Sequence, residues 1–348
     1  MKKFKVSLII PCYKVEKYLP KCLDTLVEQT LDGIEVIAVN DGSPDNCLKI
    51  LKSYKKKFTG NNELVIIDKE NEGVWKGRFD GIDKARGEYI GFIDSDDYVS
   101  KDYAKKLYNA VTKSKADISI CGFDRIDLDT GKLYSREMCN FKYKKLTLPQ
   151  DGGLLLEING APWNKLFKSE LLKNMHKMKN IPKVLDDMMF NQLAYVQSKK
   201  IVFIDDSLYY YMVRKDSIIN TINLEKLPSV YAAMKEVKDV YREQKPELLN
   251  YIDANAFLHV GISLMYRVYA DKNIDFNDVL RKNTQYLNEN FPNWISNNEY
   301  LKLNWINKHK KANKKLWIVK CFYKTHLFKF FLWCYTFMIN HVGVDIKW

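Results

Sequence analysis

The stretch Gly87-Glu88-Tyr89-Ile90-Gly91-Phe92-Ile93-Asp94-Ser95-Asp96-Asp97 passes from apolar to acidic within a few residues. Tyr89 to Ile93 reads as a buried strand. Asp94 and Asp96 leave its end at i and i+2, so their carboxylates can converge on one hard divalent cation, one directly and one through water. Mg2+ and Mn2+ prefer such oxygen ligands and accept substrate phosphates beside them. A lone D-x-D arises often by chance; one directly behind a buried strand is a candidate site.

The same rhythm continues outward. Val6 to Pro11 reads as a first strand, and Tyr18 to Gln29 carries Leu19, Cys22, Leu23 and Leu26 at helical spacing. Ile34 to Val39 is a second strand ending in Asn40-Asp41-Gly42-Ser43-Pro44, followed by a helix over 45–58. Leu64 to Ile67 is a third strand, with Asn71-Glu72-Gly73 behind it and a helix from Trp75 to Ala85. A helix over 101–113 and a strand over 117–121 complete the run. Near-continuous apolar strands between helices predict an α/β doubly wound, mostly parallel sheet covered on both faces. Ligands of such sheets bind outside the carboxyl ends of the strands. Each polar cluster alone could be a turn or a helix cap. Three at successive strand ends point to one ligand site.

Past Gly122 the pattern loosens. Residues 125–148 read as short irregular strands or an excursion loop, with helices near 151–158, 169–178 and 186–197. Ile201 to Ile204 and Leu208 to Met212 read as two last strands. Beyond Asn223 only helices rich in Tyr, Leu, Lys and Trp are predicted, which sets a domain over 1–222 and a helical C-terminal region over 223–348.

With 348 residues, 46% hydrophobic and 28% charged, the chain has the profile of a globular protein with a substantial core. The net charge of +13 favours an anionic partner: nucleotide phosphates, nucleic acid or an acidic membrane surface. No nucleic-acid recognition motif is present. Seven cysteines without a C-x-x-C pair suggest neither a disulfide framework nor zinc, and fit a reducing cytoplasm. The N-terminal apolar run is short and broken by Pro11 and Lys14, so it reads as a strand rather than a signal peptide. No apolar stretch reaches the roughly 20 residues of a membrane-spanning helix. Between Tyr300 and Val344 there is no Asp or Glu, while nine lysines from Lys302 to Lys329 interleave with Trp and Phe. That is the composition of an interfacial anchor on an anionic membrane. An ordinary packing helix with a solvated lysine face is the alternative.

Several motifs together carry a family resemblance. They are Pro11-Cys12-Tyr13-Lys14-Val15-Glu16-Lys17-Tyr18-Leu19, Glu28-Gln29-Thr30, Val39-Asn40-Asp41-Gly42-Ser43, and Asn71-Glu72-Gly73 through Arg78 and Gly81. Gly87-Glu88-Tyr89-Ile90, Asp94-Ser95-Asp96-Asp97, Trp163-Asn164-Lys165-Leu166-Phe167, Asp186-Asp187 and Tyr209-Tyr210-Tyr211 with Ser217 continue in register. Over about residues 5–220 the chain resembles family 2 glycosyltransferases of the GT-A fold, and most of all the bacterial members that build capsule, teichoic acid and other surface glycans.

The resemblance implies an inverting, Mn2+- or Mg2+-dependent transferase, cytoplasmic or peripheral on the inner face of the cell membrane. It would move a sugar from a UDP-sugar to a hydroxyl of a glycan, lipid-linked or protein-linked acceptor. By position, it implies that Pro11 and Tyr13 line the nucleotide pocket with Val15 and Glu16 nearby. Asp41 would accept from uracil, and Asn71 and Arg78 would border base and diphosphate. Asp94, with Ser95 beside it, would touch ribose or sugar. Asp96 would bind the metal, with Asp94 as a second candidate ligand, and Asp187 would be the base that deprotonates the acceptor. Departing UDP needs its charge neutralised, and a hydroxyl of high pKa needs a carboxylate within reach. The neighbouring Asp186 can push one pKa of the doublet upward. Both aspartates could instead cap the following helix. Trp163 and Lys165 are candidates for an acceptor-side wall near phosphate, or a core Trp with a solvated Lys. Arg214 could meet the diphosphate or lie solvated.

The chain departs from the family pattern at Trp75, Gly77 and Phe79, where Ser, Ala and Asn are usual, at Lys14 for Asn and at Asp186 for Glu. Large aromatics beside Arg78 are expected to reshape the sugar pocket, and they keep alive a binding protein that has lost catalysis. A nucleotidyltransferase would need a Gly-rich basic loop where Cys12-Tyr13-Lys14-Val15 stands.

Overall fold

In the computed structural model, which describes residues 4–214 and 224–342, strand and helix alternate from the start. The first elements are β1 (Phe4–Cys12), α1 (Leu19–Val27), β2 (Ile34–Asp41), α2 (Cys47–Tyr54), β3 (Glu63–Lys69), α3 (Val74–Lys84) and β4 (Gly87–Phe92). β1, β2 and β4 are buried almost end to end, as strands covered on both faces must be. β2 and β4 flank β1 in parallel, and β3 runs parallel on the far side of β2.

Next come β5 (Tyr98–Val99), α4 (Tyr103–Ser114), β6 (Ile118–Asp127), β7 (Leu133–Glu137), β8 (Lys145–Thr147), β9 (Lys165–Lys168), α5 (Ser169–Lys173), α6 (Asp186–Gln197) and β10 (Lys200–Val213). The sheet order is β3-β2-β1-β4-β9-β6-β10-β5, with β7 on β6 and β8 on β10. The long strands β1, β2, β3, β4, β6 and β10 share one direction, so their carboxyl ends open on one edge. β9 is wedged antiparallel between β4 and β6, which makes the sheet mixed.

Three details differ from the sequence reading. β9 spans only four residues, too few to show a period. The two strands expected over 201–212 are one strand, β10, whose register against β6 shifts between Phe203 and Tyr209; the break in apolar pattern is a bulge. The expected helix near 151–158 is a single 3-10 segment, Gly152–Glu157, and the one near 169–178 stops at Lys173.

The chain divides into two compact units. One comprises Met1–Leu148, Gly160–Lys177 and Leu185–Lys215; the other comprises Pro149–Asn159, Met178–Val184 and Asp216–Trp348. The expected boundary at residue 222, like Ser217, lies outside the described residues. Helices fill the second unit: α7 (Leu227–Gln244), α8 (Leu249–Ala256), α9 (Met265–Ala270), α10 (Phe276–Asn290), α11 (Leu303–Lys308), α12 (Lys314–Lys324) and α13 (Phe328–Val342). Segment 149–159 belongs there because Asn313 clasps it, donating its amide N–H to Glu157 Oε1 at 2.7 Å and Nδ2 to Gly153 O at 2.9 Å. Lys238 Nζ, buried, pairs with Asp253 Oδ1 at 2.7 Å and donates to Asn290 O at 2.7 Å, tying α7 to α8 and the end of α10.

In the first unit α3 lies unusually close to β1. A Cβ on Gly81 would stand 2.5 Å from Ile9 Cγ2. Replacing Gly81 with leucine must push the helix off the strand, so Gly81→Leu is expected to lower stability by about 1–3 kcal/mol. Urea unfolding checks this; an unchanged midpoint would contradict the close packing.

Candidate functional site

At the carboxyl end of β2, Asp41 Oδ1 accepts from the Glu72 amide at 2.9 Å and Oδ2 from the Gly73 amide at 2.8 Å. Asn71 Nδ2 returns a bond to Asp41 O at 2.9 Å. Gly42 lies at φ +61°, where a Cβ would come within 2.6 Å of Asn71 N, so only glycine permits this crossing. Asp41 therefore anchors the loop that leads into α3, and each carboxylate oxygen keeps a second lone pair for a ligand.

The β1 end is laced to α2 in the same manner. Lys14, at φ 55°, donates its amide to Ser43 Oγ at 2.8 Å. The Glu16 amide bonds Asp45 Oδ2 at 3.0 Å, and Glu16 Oε2 accepts from the Asn46 amide at 2.9 Å. Glu16 thus shapes this rim as a reciprocal helix cap. Tyr13 stands exposed beside it, with Pro11 and Val15 half-buried.

α3 carries Arg78 beneath the rim. Its guanidinium is buried, with Nη1 3.1 Å from Asp186 Oδ2 and Nη2 2.5 Å from Asp187 Oδ1. The two aspartates occupy the first turn of α6, where the helix dipole also favours negative charge. Neither caps the helix; Leu185, at φ 62°, holds the cap position. Arg78 therefore faces the acidic doublet. Trp75 and Phe79 do not enter a pocket. They pack at 6.1 and 6.3 Å on Phe190 of α6, whose ring also meets Phe92 and Phe167 at 5.0 and 6.1 Å. The departures from the family pattern thus form the aromatic joint that sets α3 against α6.

The Asp94–Asp97 turn is held from β10. Tyr209 donates its hydroxyl to Asp97 Oδ2 at 2.7 Å and accepts from the Asp94 amide at 3.2 Å, while the Met212 amide bonds Asp97 Oδ1 at 2.7 Å. Asp97 and Tyr209, given no role from sequence, thus fix where Asp94 and Asp96 point. The signal was the acidic run continuing one residue past the D-x-D. Ser95 is buried beside the Cys12 thiol. Asp96 remains partly exposed and pairs with Arg214 Nη2 at 2.6 Å, the guanidinium lying 5.5 Å from the Tyr18 ring centre.

Carboxylates outnumber cations here, and the titration behaviour follows. Burial, then the charges of Asp187 and Asp96, push Asp94 up to about 8 against the pull of Arg78. Burial and then Asp187 raise Asp186 as well. Burial works against the Arg78 charge, but Asp187, Asp186 and Asp94 outweigh it and hold it protonated.

Of the two readings open for Trp163 and Lys165, the core position holds for Trp163, and Lys165 is interior too. Trp163 stacks on Tyr209 at 4.3 Å and Tyr211 at 5.6 Å, a core position. Lys165 is fully buried, not solvated, with Nζ 2.5 Å from Ala161 O and 2.9 Å from Asn164 Oδ1. Burial pushes its ammonium down to about 7, opposed by Cys121 and Asp187.

The mixed sheet with its acidic rim is the arrangement of the GT-A fold. The sequence model of glycosyl transferase family 2 matches residues 7–174. GlyA, a glycosyltransferase of Streptococcus pneumoniae serotype 4, is 30% identical over 240 residues, covering 67% of this chain and 34% of GlyA. EpsH of Bacillus subtilis is 30% identical over 270 residues, covering 75% of this chain and 76% of EpsH. A crystal structure of residues 1–349 of Staphylococcus aureus TarS in complex with UDP-GlcNAc superposes with a TM-score of 0.68 at 19% identity, covering 99% of this chain and 93% of that one. TarS is named a poly(ribitol-phosphate) β-N-acetylglucosaminyltransferase. The chain belongs to glycosyltransferase family 2. It spans about a third of GlyA's length.

The Asp94 environment yields a signed expectation for the metal-free protein. A carboxyl that titrates near 8 when folded, against about 4 unfolded, destabilises the fold increasingly as pH rises across that interval. Asp94→Asn removes this cost, so its stability should fall less than that of the natural chain between pH 4 and pH 8. Urea midpoints across that range measure it; parallel profiles would contradict the assignment.

Proposed function

We propose that this chain moves a sugar from a UDP-sugar to a hydroxyl of a bacterial surface-glycan acceptor, with inversion and with a divalent cation. The observation that carries the reading is the acidic group beyond the carboxyl end of β4: Asp94 lies beside Arg78 with Asp186 and Asp187 from the start of α6, and Asp96 next to it pairs with Arg214. The relatives' names support a nucleotide-sugar donor and a glycan acceptor. The acceptor class includes lipid-linked and protein-linked glycans, and the site of action is the cytoplasmic side of the cell membrane.

Among the described residues, no three His, Cys, Asp or Glu side chains are grouped so as to hold a metal ion. Mg2+ and Mn2+ bind through one or two carboxylates and complete their shell with substrate phosphates and water. Asp96, partly exposed, is the residue that would hold it, exchanging its pairing with Arg214, with Asp94 behind. The cation would supply charge neutralisation for the departing diphosphate.

The protein's own groups do the rest. The Asp41–Asn71–Gly42 crossing and the Tyr13 rim provide a face for the base of the nucleotide. Asp187 is the more exposed of the doublet, 37% against 26% for Asp186. It takes the acceptor proton as the hydroxyl oxygen bonds to the anomeric carbon and the bond from that carbon to the diphosphate breaks. One displacement on the face opposite UDP inverts the centre. Arg78 fixes the orientation of Asp187 and keeps its charge company in a buried setting.

A catalytically silent binding protein is the second reading, once motivated by Trp75 and Phe79. Their packing on Phe190 removes that motive.

Release of UDP from a panel of UDP-sugars with Mn2+, followed by mass analysis of the acceptor, tests the proposal. Asp187→Asn should lower transfer about 10²–10⁴-fold, the usual worth of a general base, while leaving donor binding largely intact. Asp96→Asn should instead raise the Mn2+ concentration needed for half-maximal rate. A dead Asp186→Asn beside an active Asp187→Asn would reverse the roles of the doublet. Undiminished turnover in EDTA would remove the cation.

A further inference from the structure

Helix α13 has two apolar faces. Phe328, Phe331, Leu332 and Tyr335 are buried, with Phe328 stacked on Tyr323 of α12 at 4.0 Å and Tyr335 5.0 Å from Tyr266 of α9. Packing within the unit needs only that face. On another, Phe330, Trp333 and Phe337 are 52%, 56% and 49% exposed, and Leu327 extends the row. Their rings stack in sequence at 5.9 and 6.1 Å, so they form one contiguous stripe rather than scattered surface residues. A continuous exposed apolar stripe on a folded surface marks an interaction site.

The charge around it decides the partner. Lys324 and Lys329 are exposed at the near end of the stripe. Six more exposed lysines lie between Lys302 and Lys315, and no Asp or Glu occurs from 300 to 344. The ninth lysine, Lys320, is consumed internally, its Nζ 2.7 Å from Leu301 O. A second copy docking by this face would bring like charges together with no carboxylate from the segment to meet them, which costs affinity. A surface of anionic headgroups over hydrocarbon matches both features.

We propose that the Leu327–Phe330–Trp333–Phe337 edge docks on a bilayer rich in anionic lipid. The rings enter the boundary between headgroups and acyl chains, and Lys324 and Lys329 lie against the phosphates. The helix lies in the plane of the surface: among the described residues no helix is long and apolar enough to cross a membrane. The use of such docking rests on the proposed surface-glycan reading, but the docking itself needs neither donor nor acceptor.

The test is co-sedimentation of the full chain with phosphatidylcholine vesicles, with and without phosphatidylglycerol, at low and high salt. Binding should require phosphatidylglycerol and weaken with salt. The triple variant Phe330→Ser/Trp333→Ser/Phe337→Ser should partition about tenfold or more weaker and lose the salt-resistant part, while Lys324→Gln/Lys329→Gln should lose mainly the salt-sensitive part. All changed side chains are exposed, and circular dichroism melting verifies that both variants fold. No binding by the natural chain, or equal binding by the triple variant, overturns the proposal. So does a dimer seen by sedimentation velocity that the triple variant abolishes without any vesicle binding, which assigns the stripe to a second copy. UDP release is followed separately in solution, so failure of the transferase reading and failure of membrane docking give different results.

Discussion

Arg78 sits buried between Asp186 and Asp187, and much of the first unit is arranged to make that tolerable. Removing a guanidinium from water costs several kcal/mol, recovered only where opposing charges are held in good geometry. Two carboxylates at the start of α6 provide it, so α3 and α6 cannot drift apart without stranding a charge. The backbone permits the arrangement because Gly81 brings α3 down on Ile9. The aromatic joint at Phe190 locks it laterally. The ion triad is held from the α3 and Phe190 sides, and it fixes the direction of the partly exposed Asp187 carboxylate.

A second constraint opposes the first. Asp94 lies close enough to the same carboxylates that its ionisation is disfavoured. Asp97 adds another buried acid one step away, satisfied by Tyr209 and Met212. The turn therefore holds more acidic groups than Arg78 and Arg214 can keep ionised. Burying acids that ionise freely in the unfolded chain costs stability as pH rises, a trade that is common at functional sites. Asp97 works through Tyr209: the same hydroxyl that bonds its carboxylate receives the Asp94 amide, so the turn cannot tilt without breaking a buried contact.

The strand-and-helix alternation and the acidic strand ends were legible in sequence because both are local: a buried parallel strand is a continuous apolar run, and its end is punctuated by turn formers. What stayed hidden depends on contacts far apart in the chain. β9 is four residues long and gains its identity only by pairing with β4 and β6. The Arg78–Asp186 pair spans 108 residues, so nothing near Arg78 distinguished a diphosphate ligand from a clamp on the doublet. Trp75 and Phe79 looked like intruders into a sugar pocket because helical position alone does not say which neighbour a face meets. Lys165 is the sharpest case. Lysine is rarely buried, so the readings open for it were a place near phosphate or in solvent, and the carbonyl of Ala161 and the Asn164 side chain make the interior possible.

Composition misleads in a related way at the other end of the chain. Both readings of the nine lysines in this acid-free segment leave them at the surface, yet Lys320 spends its ammonium on a backbone carbonyl inside the second unit. Lys238 does the same with Asp253, and neither contributes to a field felt outside. The external field comes from lysines whose stems pack while their heads reach water. The aromatics divide likewise: Phe328 and Phe331 close the core, while Phe330 and Trp333, one or two positions away, leave it. A helical turn advances about 100° per residue, so neighbours in sequence serve opposite faces. The basic-aromatic composition is thus two sets of side chains superposed on one helix, a packing face and an outward stripe.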